Sequence, residues 1–391
     1  MTAFLSEVGL VSALGVGARE TREALFSEAP SGVALSSDFA PGVPLAVGQV
    51  RAELPAAAPW PIELRSRNNR LLAKALEQVR PALDAALSRV GPHRVGCVLG
   101  TSTSGIGEAE AAVARLRRDG ALAPEFRYAQ QELGSPAAFI TYATGLRGPA
   151  YVISTACSSS AKALASAARL IEAGLADVVL AGGVDSLCAF TVAGFAALDS
   201  VSTERSNPLS RNRRGINIGE AAALVLVDCH GPVRLAGWGE SSDAHHMSAP
   251  EPSGRGARVA IERALAKAGA KAPEVGYVNL HGTGTVQNDA MESRAVSEVL
   301  GLETPVSSTK PLTGHTLGAS GALEAALCFL TQVDNPGGRL PPHFWDGERD
   351  EALPRLRVVE PRSALGQPPR VVLSNSFAFG GNNAALVLVR E

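Results

Sequence analysis

One cysteine and two histidines stand where apolar runs of the sequence give way to short polar turns. Cys157 lies in "VISTACSSSAKALASAARLIEAG", between a β-prone run and an alanine-rich helical pattern that ends near Gly174. The positive end of a helix favours the thiolate, which is the nucleophilic form of cysteine. His281 in "NLHGTGT" and His315 in "LTGHTLGAS" also follow strand-like runs. Because sites in layered α/β folds assemble where strands end, we expect the three side chains to converge on one nucleophilic centre.

Each of these residues taken alone also has a structural interpretation. A free cysteine is among the most deeply buried residue types, and a single histidine often makes ordinary hydrogen bonds in a core. A thiol at the start of a helix together with two histidines in turns is a rarer combination. We therefore favour catalysis over a purely structural role.

Composition and charge argue against nucleic-acid binding and membrane insertion. The chain of 391 residues is 46% hydrophobic and 19% charged, which is typical of a globular protein with a large core. Its formal net charge of -2 provides no basic field for nucleic acid. The sequence has neither a basic leader nor an apolar run of the ~18 residues that a membrane span needs. We expect a cytoplasmic protein.

The cysteines follow neither a disulfide framework nor a metal-binding pattern. They are odd in number, and no two of them have CxxC spacing. This usage is typical of reduced thiols in a cytoplasm, and it predicts no metal site. The five are Cys97, Cys157, Cys188, Cys229 and Cys328.

Three pairs of similar segments indicate an internal duplication. The pairs are "AALVLV" at 222–227 and 384–389, "RVGCVLGTSTSG" at 94–105 with "EVGYVNLHGTGT" at 274–285, and the cysteine segment with "PVSSTKPLTGHTLGASGALEAALCFL" at 305–330. Near-continuous apolar strands such as "DVVLAGG" predict sheets covered by helices on both faces. We therefore predict two similar α/β halves, residues 1–232 and 233–391, with a site where they meet.

Four segments together resemble the signature blocks of β-ketoacyl-acyl carrier protein synthases, within the thiolase-like superfamily. They are "TACSSS" around Cys157, "HGTGT" followed by Glu292, "SSTKPLTGHTLGASGALEA" and the C-terminal "NSFAFGGNNAALVLV". The blocks occur in the family's order and span most of the chain. This resemblance implies a thiolase-like layered αβαβα fold made of two duplicated α/β halves.

The resemblance also implies a decarboxylative Claisen condensation. Cys157 would hold the acyl chain, while His281 and His315 would stabilise the enolate formed when malonyl-acyl carrier protein loses carbon dioxide. The product would be 3-oxoacyl-acyl carrier protein, in fatty acid, polyketide or aryl polyene synthesis. Lys310 and Glu324 match a buried charged pair that orders the histidines. We expect no cofactor and no catalytic metal, since decarboxylation and thioester chemistry supply the energy.

The same resemblance assigns residues around this centre. Phe379 corresponds to a gating phenylalanine whose backbone N–H, with that of Cys157, forms an oxyanion hole. Asp243 and His246 are supporting candidates at the entrance. The substrate-binding candidates are Thr283, Thr285, Ile106, Ile216 and Asn217. Carrier proteins are acidic, and the docking candidates are Arg65, Arg67, Arg70 and Arg205.

Three positions depart from the family pattern. Ile216 and Asn217 stand where the family usually has Phe-Val, and Ala378 stands where the gating loop more often has glycine. These changes argue against an ordinary fatty-acid substrate. "SRNRRGINIGEAAA" and "RNNRLLAKALEQ" are similar to synthases of bacterial aryl polyene clusters, so we predict that sub-family.

Related proteins of other kinds fit less well. A thiolase would have a second cysteine in its C-terminal glycine-rich loop, whereas the last cysteine here is Cys328. A coenzyme-A-primed synthase would have an asparagine in place of the second histidine. A chain-length-factor-like, non-catalytic subunit is the main alternative, although such subunits usually lack the cysteine, and a small-ligand binding module is a more distant one. We expect acyl- and malonyl-loaded carrier protein as partners, and either a homodimer or a heterodimer with a homologous chain-length factor.

Overall fold

A computed structural model describes residues 2–29, 32–40 and 42–391 of the chain. The strands are β1 (Phe4–Ser12), β2 (Gly15–Val16), β3 (Ala34–Ser36), β4 (Leu45–Val47), β5 (Val95–Gly100), β6 (Ala150–Ile153), β7 (Val178–Asp185), β8 (Ala221–Asp228), β9 (Val233–Ser242), β10 (Val275–Asn279), β11 (Val306–Ser307), β12 (Val371–Ala378) and β13 (Asn382–Arg390). The α-helices are α1 (Gly17–Leu25), α2 (Arg67–Val90), α3 (Ile106–Asp119), α4 (Ser135–Thr144), α5 (Ser159–Glu172), α6 (Ala189–Ala196), α7 (Arg255–Ala268), α8 (Val286–Leu300), α9 (Lys310–Thr313) and α10 (Ser320–Gln332). Short 3₁₀ turns lie at Ile62–Leu64, Pro92–Arg94, Tyr128–Gln130, Ala272–Glu274, Leu317–Ala319 and Phe379–Gly381.

The main sheet contains the same five-stranded arrangement twice. Its strand order is β11-β10-β12-β13-β9-β1-β8-β7-β5-β6, with β2 paired to β1, while β3 and β4 form a separate pair. The two sets are β1, β5, β6, β7, β8 and β9, β10, β11, β12, β13 in chain order. Read outward from the β1–β9 pair at the middle of the sheet, each set places its first strand next to its fifth, followed by its fourth, second and third strands. The orientations match as well: the second strand is parallel to the third and fourth, and the other pairs are antiparallel. The predicted fold of two duplicated α/β halves is confirmed.

The segments that suggested the duplication occupy equivalent elements. The repeated "AALVLV" forms most of β8 and of β13, and the second pair forms β5 and β10 with their following turns. The cysteine segment forms β6 and α5, whose counterparts are β11 and α10. The first strands of the two halves, β1 and β9, pair at Leu5 and Val233. Because β9 begins at Val233, we propose the boundary between the halves at residues 232 and 233.

The helices and the sheet form five layers. α5 and α10 share one core with the inner faces of both halves, as shown by buried Leu164, Leu330, Val225 and Leu386. α2 and α4 cover the outer face of the first half, and α7 and α8 cover that of the second. A β-carbon added at Gly321 would lie 2.5 Å from the backbone nitrogen of Ala161, so α10 approaches α5 closely at this point. The central helices therefore bring the two halves together beside Cys157.

Within the described ranges, no helix combines the length and the apolar character that a crossing of the bilayer requires.

Candidate active site

The turn between β6 and α5 presents Cys157. β6 ends at Ile153 and α5 begins at Ser159, so the chain changes direction over a few residues. Ala156 has a φ of 55°, in the left-handed region that non-glycine residues rarely occupy. Strain of this kind is found at functional turns, where the surrounding structure holds it. The Ser159 hydroxyl does so here, since it accepts from the Thr155 N–H at 2.9 Å and donates to the Ala156 carbonyl.

Cys157 is a neutral thiol in the resting site. Its side chain is buried, and burial raises the pKa of the thiol to about 12. The charge of Lys310 and the backbone N–H groups of Phe379 and Cys157 lower this pKa, but they do not outweigh burial. The thiolate character expected from the helix start is therefore absent at rest. The thiol proton must leave as the sulfur attacks.

Two imidazoles stand next to this thiol. Nε2 of His315 lies 3.0 Å from Sγ of Cys157. The rings of His281 and His315 have centroids 5.2 Å apart and are nearly perpendicular, at 84°. Burial lowers the pKa of both histidines well below the usual value, and the charge of Lys310 lowers it further. Both rings are therefore neutral, so they can donate an N–H hydrogen bond without readily protonating a carbanion.

Lys310 selects the tautomer of His281. Its ammonium group pairs with Glu324 and lies 3.4 Å from Nδ1 of His281. An ammonium group can only donate, so Nδ1 must accept and the ring proton resides on Nε2. His281 and His315 both line the cavity that contains Cys157. The Nε2–H of His281 is thus available to a bound oxygen atom.

Glu292 holds the turn that carries His281. Its two carboxylate oxygens accept the backbone N–H groups of His281 and Gly282, each at 2.7 Å. The Asn375 side chain donates to the same carboxylate at 3.1 Å. In the sequence, Glu292 is recognisable only as part of a motif. Its position on a helix directly after the "HGTGT" turn was the signal for this role.

A Glu292→Gln variant is expected to lose about 1–3 kcal/mol of folding free energy, because the new amide N–H₂ would face a buried backbone N–H donor. Condensation activity should fall with it, since the His281 turn loses its anchor. Urea unfolding and a condensation assay measure the two effects. Glu298→Gln on the same helix is the matched control, because Glu298 pairs with Arg258 at the surface. Equal stability of the two variants would contradict this role.

A second buried carboxylate, Asp185 at the end of β7, was not predicted from the sequence. It accepts the hydroxyls of Thr101 and Thr103 at 2.7 Å and the N–H groups of Ser102 and Thr103 at 2.8 Å. These bonds fix the turn after β5. The charge of Asp185 also acts to raise the pKa of Cys157, so it lies close to the reactive centre. An acid that closes an otherwise apolar run, "VVLAGGVD", was the available signal.

A cavity of about 280 Å³ opens onto Cys157, His281 and His315. Its wall carries both apolar and polar side chains. The apolar ones include Phe195, Leu198, Ile216, Phe377, Ala378 and Phe379, and the polar ones include His246, Ser248, Thr283, Thr285, Gln287 and Asn288. This combination suits a ligand that has both an apolar chain and amide or thioester groups.

Phe379, the predicted gate, lines this cavity. Its ring packs against Phe195 with centroids 5.5 Å apart. Gly380 and Gly381 follow it with φ values of 75° and 69°, a region that only glycine occupies without strain. The neighbouring Ala378 retains extended backbone, with a φ of -112°. Any swing of the phenylalanine therefore depends on the two glycines that follow it.

Most of the predicted entrance and substrate residues reach the cavity. Thr283, Thr285 and Ile216 line it, as do Asp243 and His246. The carboxylate of Asp243 accepts from the Asn383 side chain at 2.7 Å, which ties the entrance to β13.

Ile106 and Asn217 lie outside the residues that line this cavity. Ile106 is the first residue of α3. The Asn217 side chain accepts the Ser206 N–H and donates to the Glu204 carbonyl, so it holds a loop. Its backbone carbonyl accepts the His315 N–H at 2.6 Å, and Asn217 thereby supports a reactive residue from behind.

The four predicted docking arginines make contacts within their own chain. Arg65 donates to the carbonyls of Ala58 and Trp60, Arg67 pairs with the Glu220 carboxylate, Arg70 donates to the carbonyls of Leu54 and Pro55, and Arg205 donates to the carbonyls of Val33 and Pro311. Three of them therefore fix the path of the chain around the start of α2. Their part in docking stays a prediction.

The reactive centre also has the spacing of a metal site. One donor atom each from Cys157, His281 and His315 lies within 4.8 Å of the others. These ligand types suit zinc. However, the ammonium group of Lys310 touches His281, and its positive charge disfavours a cation at this place.

The chain is similar to β-ketoacyl synthases along most of its length. Residues 62–230 match the family described as "Beta-ketoacyl synthase, N-terminal domain", and residues 233–335 match "Beta-ketoacyl synthase, C-terminal domain". A 3-oxoacyl-[acyl-carrier-protein] synthase 2 of Rhizobium meliloti (strain 1021) is 38% identical over 265 residues, which cover 63% of this chain and 62% of that protein. The protein of the same name from Coxiella burnetii (strain RSA 493 / Nine Mile phase I) is 34% identical over 347 residues, or 81% of each chain.

A solved structure extends this similarity to the whole chain. It is the ketosynthase ApeO in complex with its chain length factor ApeC from Xenorhabdus doucetiae, and the match has 44% identity and a TM-score of 0.94. It covers 100% of this chain and 98% of the matched one. On these matches, and with the duplicated layered fold described above, the chain belongs to the β-ketoacyl synthase family.

Proposed function

We propose that this protein is a 3-oxoacyl-acyl carrier protein synthase, which extends an acyl chain by decarboxylative condensation with malonyl-acyl carrier protein. The observation that carries this proposal is the arrangement of Cys157 with two neutral histidines, one of them locked as an N–H donor by Lys310. A nucleophile for the acyl group and donors for an enolate thus share one cavity.

The first half-reaction transfers the acyl chain to Cys157. Sγ attacks the thioester carbon of an acyl-loaded carrier protein, and the carrier thiol leaves with the proton that Cys157 gives up. The backbone N–H groups of Cys157 and Phe379 both face the sulfur. They are placed to stabilise the oxyanion of the tetrahedral intermediate.

The second half-reaction forms the new carbon–carbon bond. Malonyl loses carbon dioxide, and the electrons of the broken bond form an enolate whose oxygen accepts N–H bonds from His281 and His315. The enolate carbon then attacks the acyl carbon on Cys157 and expels the thiolate. Because both imidazoles are neutral, they stabilise the enolate without protonating its carbon, which would turn it into an unreactive acetyl group.

The acyl chain packs against apolar side chains of the cavity in this proposal. The apolar surface beside the thiol comes from Phe195, Leu198 and Ile216. In this proposal Thr283 and Thr285 bind the amide groups of the flexible prosthetic arm through which the carrier protein holds its acyl group. The resemblance of "SRNRRGINIGEAAA" and "RNNRLLAKALEQ" to synthases of aryl polyene clusters favours an aryl polyene or related polyunsaturated substrate. All five cysteines are free, which suits a cytoplasmic location.

An Ile216→Trp variant is expected to accept a two-carbon acetyl group while acylation by long chains falls by at least about tenfold, because the larger ring fills space beside the apolar side chains of the cavity. Intact-mass spectrometry of the acylated protein measures both rates. Ile216→Val is the matched control and should accept both donors. Undiminished acylation of Ile216→Trp by long chains would place the acyl group elsewhere.

The proposed partner subunit is a homologous chain-length factor. β6 is the last strand of the sheet in the described part of the chain, so one of its edges is open. A shallow groove beside it includes Leu133 and Tyr151, and Tyr142 in the same groove is 52% exposed. An open strand edge with apolar surroundings favours pairing with a second chain. A second thiolase-like subunit would bury both.

Reconstitution tests the activity and separates it from the non-catalytic alternative. The purified protein is mixed with malonyl-loaded carrier protein and with carriers bearing short saturated, long saturated or aryl-unsaturated chains, with and without a co-expressed chain-length factor. We expect a carrier-bound product extended by two carbons, and a preference for the unsaturated chains. Failure of every donor, with the partner present, would favour a chain-length-factor-like role.

A further inference from the structure

The two histidines differ in the group behind the ring. Nδ1 of His281 faces the Lys310 ammonium at 3.4 Å, whereas Nδ1 of His315 lies 3.0 Å from the hydroxyl oxygen of Ser320. The Ser320 hydroxyl in turn lies 3.3 Å from that of Thr316. Ser320 and Thr316 are each 1% exposed, so solvent does not substitute for these contacts.

These groups impose different limits on the rings. An ammonium group only donates, so it permits one neutral tautomer of His281. A hydroxyl donates or accepts, so Ser320 can satisfy Nδ1 of His315 with or without a proton on it. Thr316 completes the hydrogen bonding of Ser320 whether or not Nδ1 of His315 carries a proton, because its hydroxyl can donate to Ser320 or accept from it. His315 is therefore the ring that can carry a proton on both nitrogens with each of them paired.

We propose that Ser320 is a positioning residue that enables His315 to take the Cys157 proton during acyl transfer. The inference rests on the proposed function. The proton moves from Sγ to Nε2 of His315, which is 3.0 Å away, as the bond from sulfur to the acyl carbon forms. The bond from that carbon to the carrier sulfur breaks, and the proton passes from Nε2 to the departing thiolate. His315 ends the step neutral.

The hydroxyl matters most while His315 is charged. During the transfer, Nδ1–H of the imidazolium donates to the Ser320 oxygen, and a hydrogen bond from a charged group is stronger than one from a neutral group. Condensation requires the other neutral tautomer of His315, in which Nε2–H donates to the enolate and the Ser320 hydroxyl donates to Nδ1. His315 carries no charge in that step, so it loses less if this partner is removed. Loss of the Ser320 hydroxyl should therefore slow acylation more than condensation.

The experiment measures the two half-reactions separately in Ser320→Ala. Acylation of Cys157 by an acyl-loaded carrier protein is followed by rapid quench and intact mass. Condensation is followed by mixing the preformed acyl-enzyme with malonyl-loaded carrier protein. We expect acylation to slow by about 10- to 100-fold and condensation by less than about fivefold.

Three further variants keep the test independent of folding. Ser320→Thr retains the hydroxyl and should restore acylation, and Thr316→Val should have a smaller effect than Ser320→Ala. Thr331→Val, at the far end of the same helix, removes a buried hydroxyl that bonds only the Leu327 carbonyl in the described structure, and it should leave both steps unchanged. Equal slowing of both steps, or no slowing, in Ser320→Ala would overturn the inference. Failure of the unsubstituted enzyme to become acylated would instead overturn the proposed function.

Discussion

A Cys157→Ala variant is expected to gain no acyl mass from any acyl-loaded carrier protein, and its condensation rate should fall by at least about 10³-fold. Removal of a covalent nucleophile usually has effects of this size or larger, since the other groups of the site cannot replace the covalent step. The measurement is intact mass combined with product formation. The fold should persist, because alanine removes only the sulfur of a residue that lies on the cavity wall.

Cys229→Ala is the matched control for this variant. Cys229 is the one partly exposed cysteine, so it is the thiol most open to non-enzymatic acyl exchange. Acylation of the control should match that of the unsubstituted protein. An adduct of equal stoichiometry on Cys157→Ala would contradict the assignment of the nucleophile.

Lys310→Met is expected to reduce condensation by about 10- to 100-fold while acylation of Cys157 changes less. The substitution removes the donor that holds His281 in its Nε2–H form, and groups that orient a catalytic residue commonly contribute an effect of this size. It also leaves Glu324 buried without its counter-charge, which should cost about 3–5 kcal/mol. Single-turnover assays and urea unfolding measure the two consequences.

The stability loss of Lys310→Met should depend on pH. Burial raises the pKa of Glu324, and Lys310 lowers it. Without Lys310, the pKa of Glu324 in the folded state rises further above its pKa in the unfolded chain. Such a group contributes stability at low pH, and the contribution is lost as the pH rises through the folded pKa. With Lys310 present the pKa of Glu324 is about 7, so the difference in stability between variant and parent should be smallest below this pH and grow as the pH rises above it.

The double variant Lys310→Met/Glu324→Leu separates the two roles. Replacing both members of a buried pair by apolar residues is often neutral for stability, so the double variant should recover much of the loss. Condensation should stay low, because His281 still lacks its donor. Full recovery of condensation would contradict the role assigned to Lys310.

Much of the fold was predictable because the sequence repeats itself. The three segment pairs predicted that β5, β8 and α5 of the first half correspond to β10, β13 and α10 of the second. The end of α5 was predicted from Gly174. That glycine has a φ of 67° and its N–H bonds the Ile171 carbonyl, while the next N–H bonds the carbonyl of Leu170. The strand order was beyond the sequence, since it depends on which edges meet and not on any local pattern.

The type of reactive centre was predictable from the sequence, but several of its residues were not. Cys157 and His315 are separated by 158 residues in sequence, but Sγ of Cys157 lies 3.0 Å from Nε2 of His315. The only signal for this proximity in the sequence was that both residues lie in turns that follow strand-like runs. Ser320 and Asp185 were missed, because a polar residue at a helix start or a strand end has many ordinary uses. Three of the docking arginines were assigned from their clustered charge, and Arg205 was assigned from the family resemblance. Whether a guanidinium contacts solvent or a nearby carbonyl depends on the path of irregular segments, which carry no periodic signal.

A single-turnover reaction with labelled malonyl tests the central claim most directly. Isolated acyl-enzyme is mixed with malonyl-loaded carrier protein carrying ¹³C in the free carboxyl group. We predict that the enzyme returns to its unmodified mass, that the malonyl group on the carrier is replaced by the acyl chain extended by two carbons, and that the label leaves as carbon dioxide. An enzyme that stays acylated beside unchanged malonyl carrier, in the presence of its chain-length factor, would contradict the account.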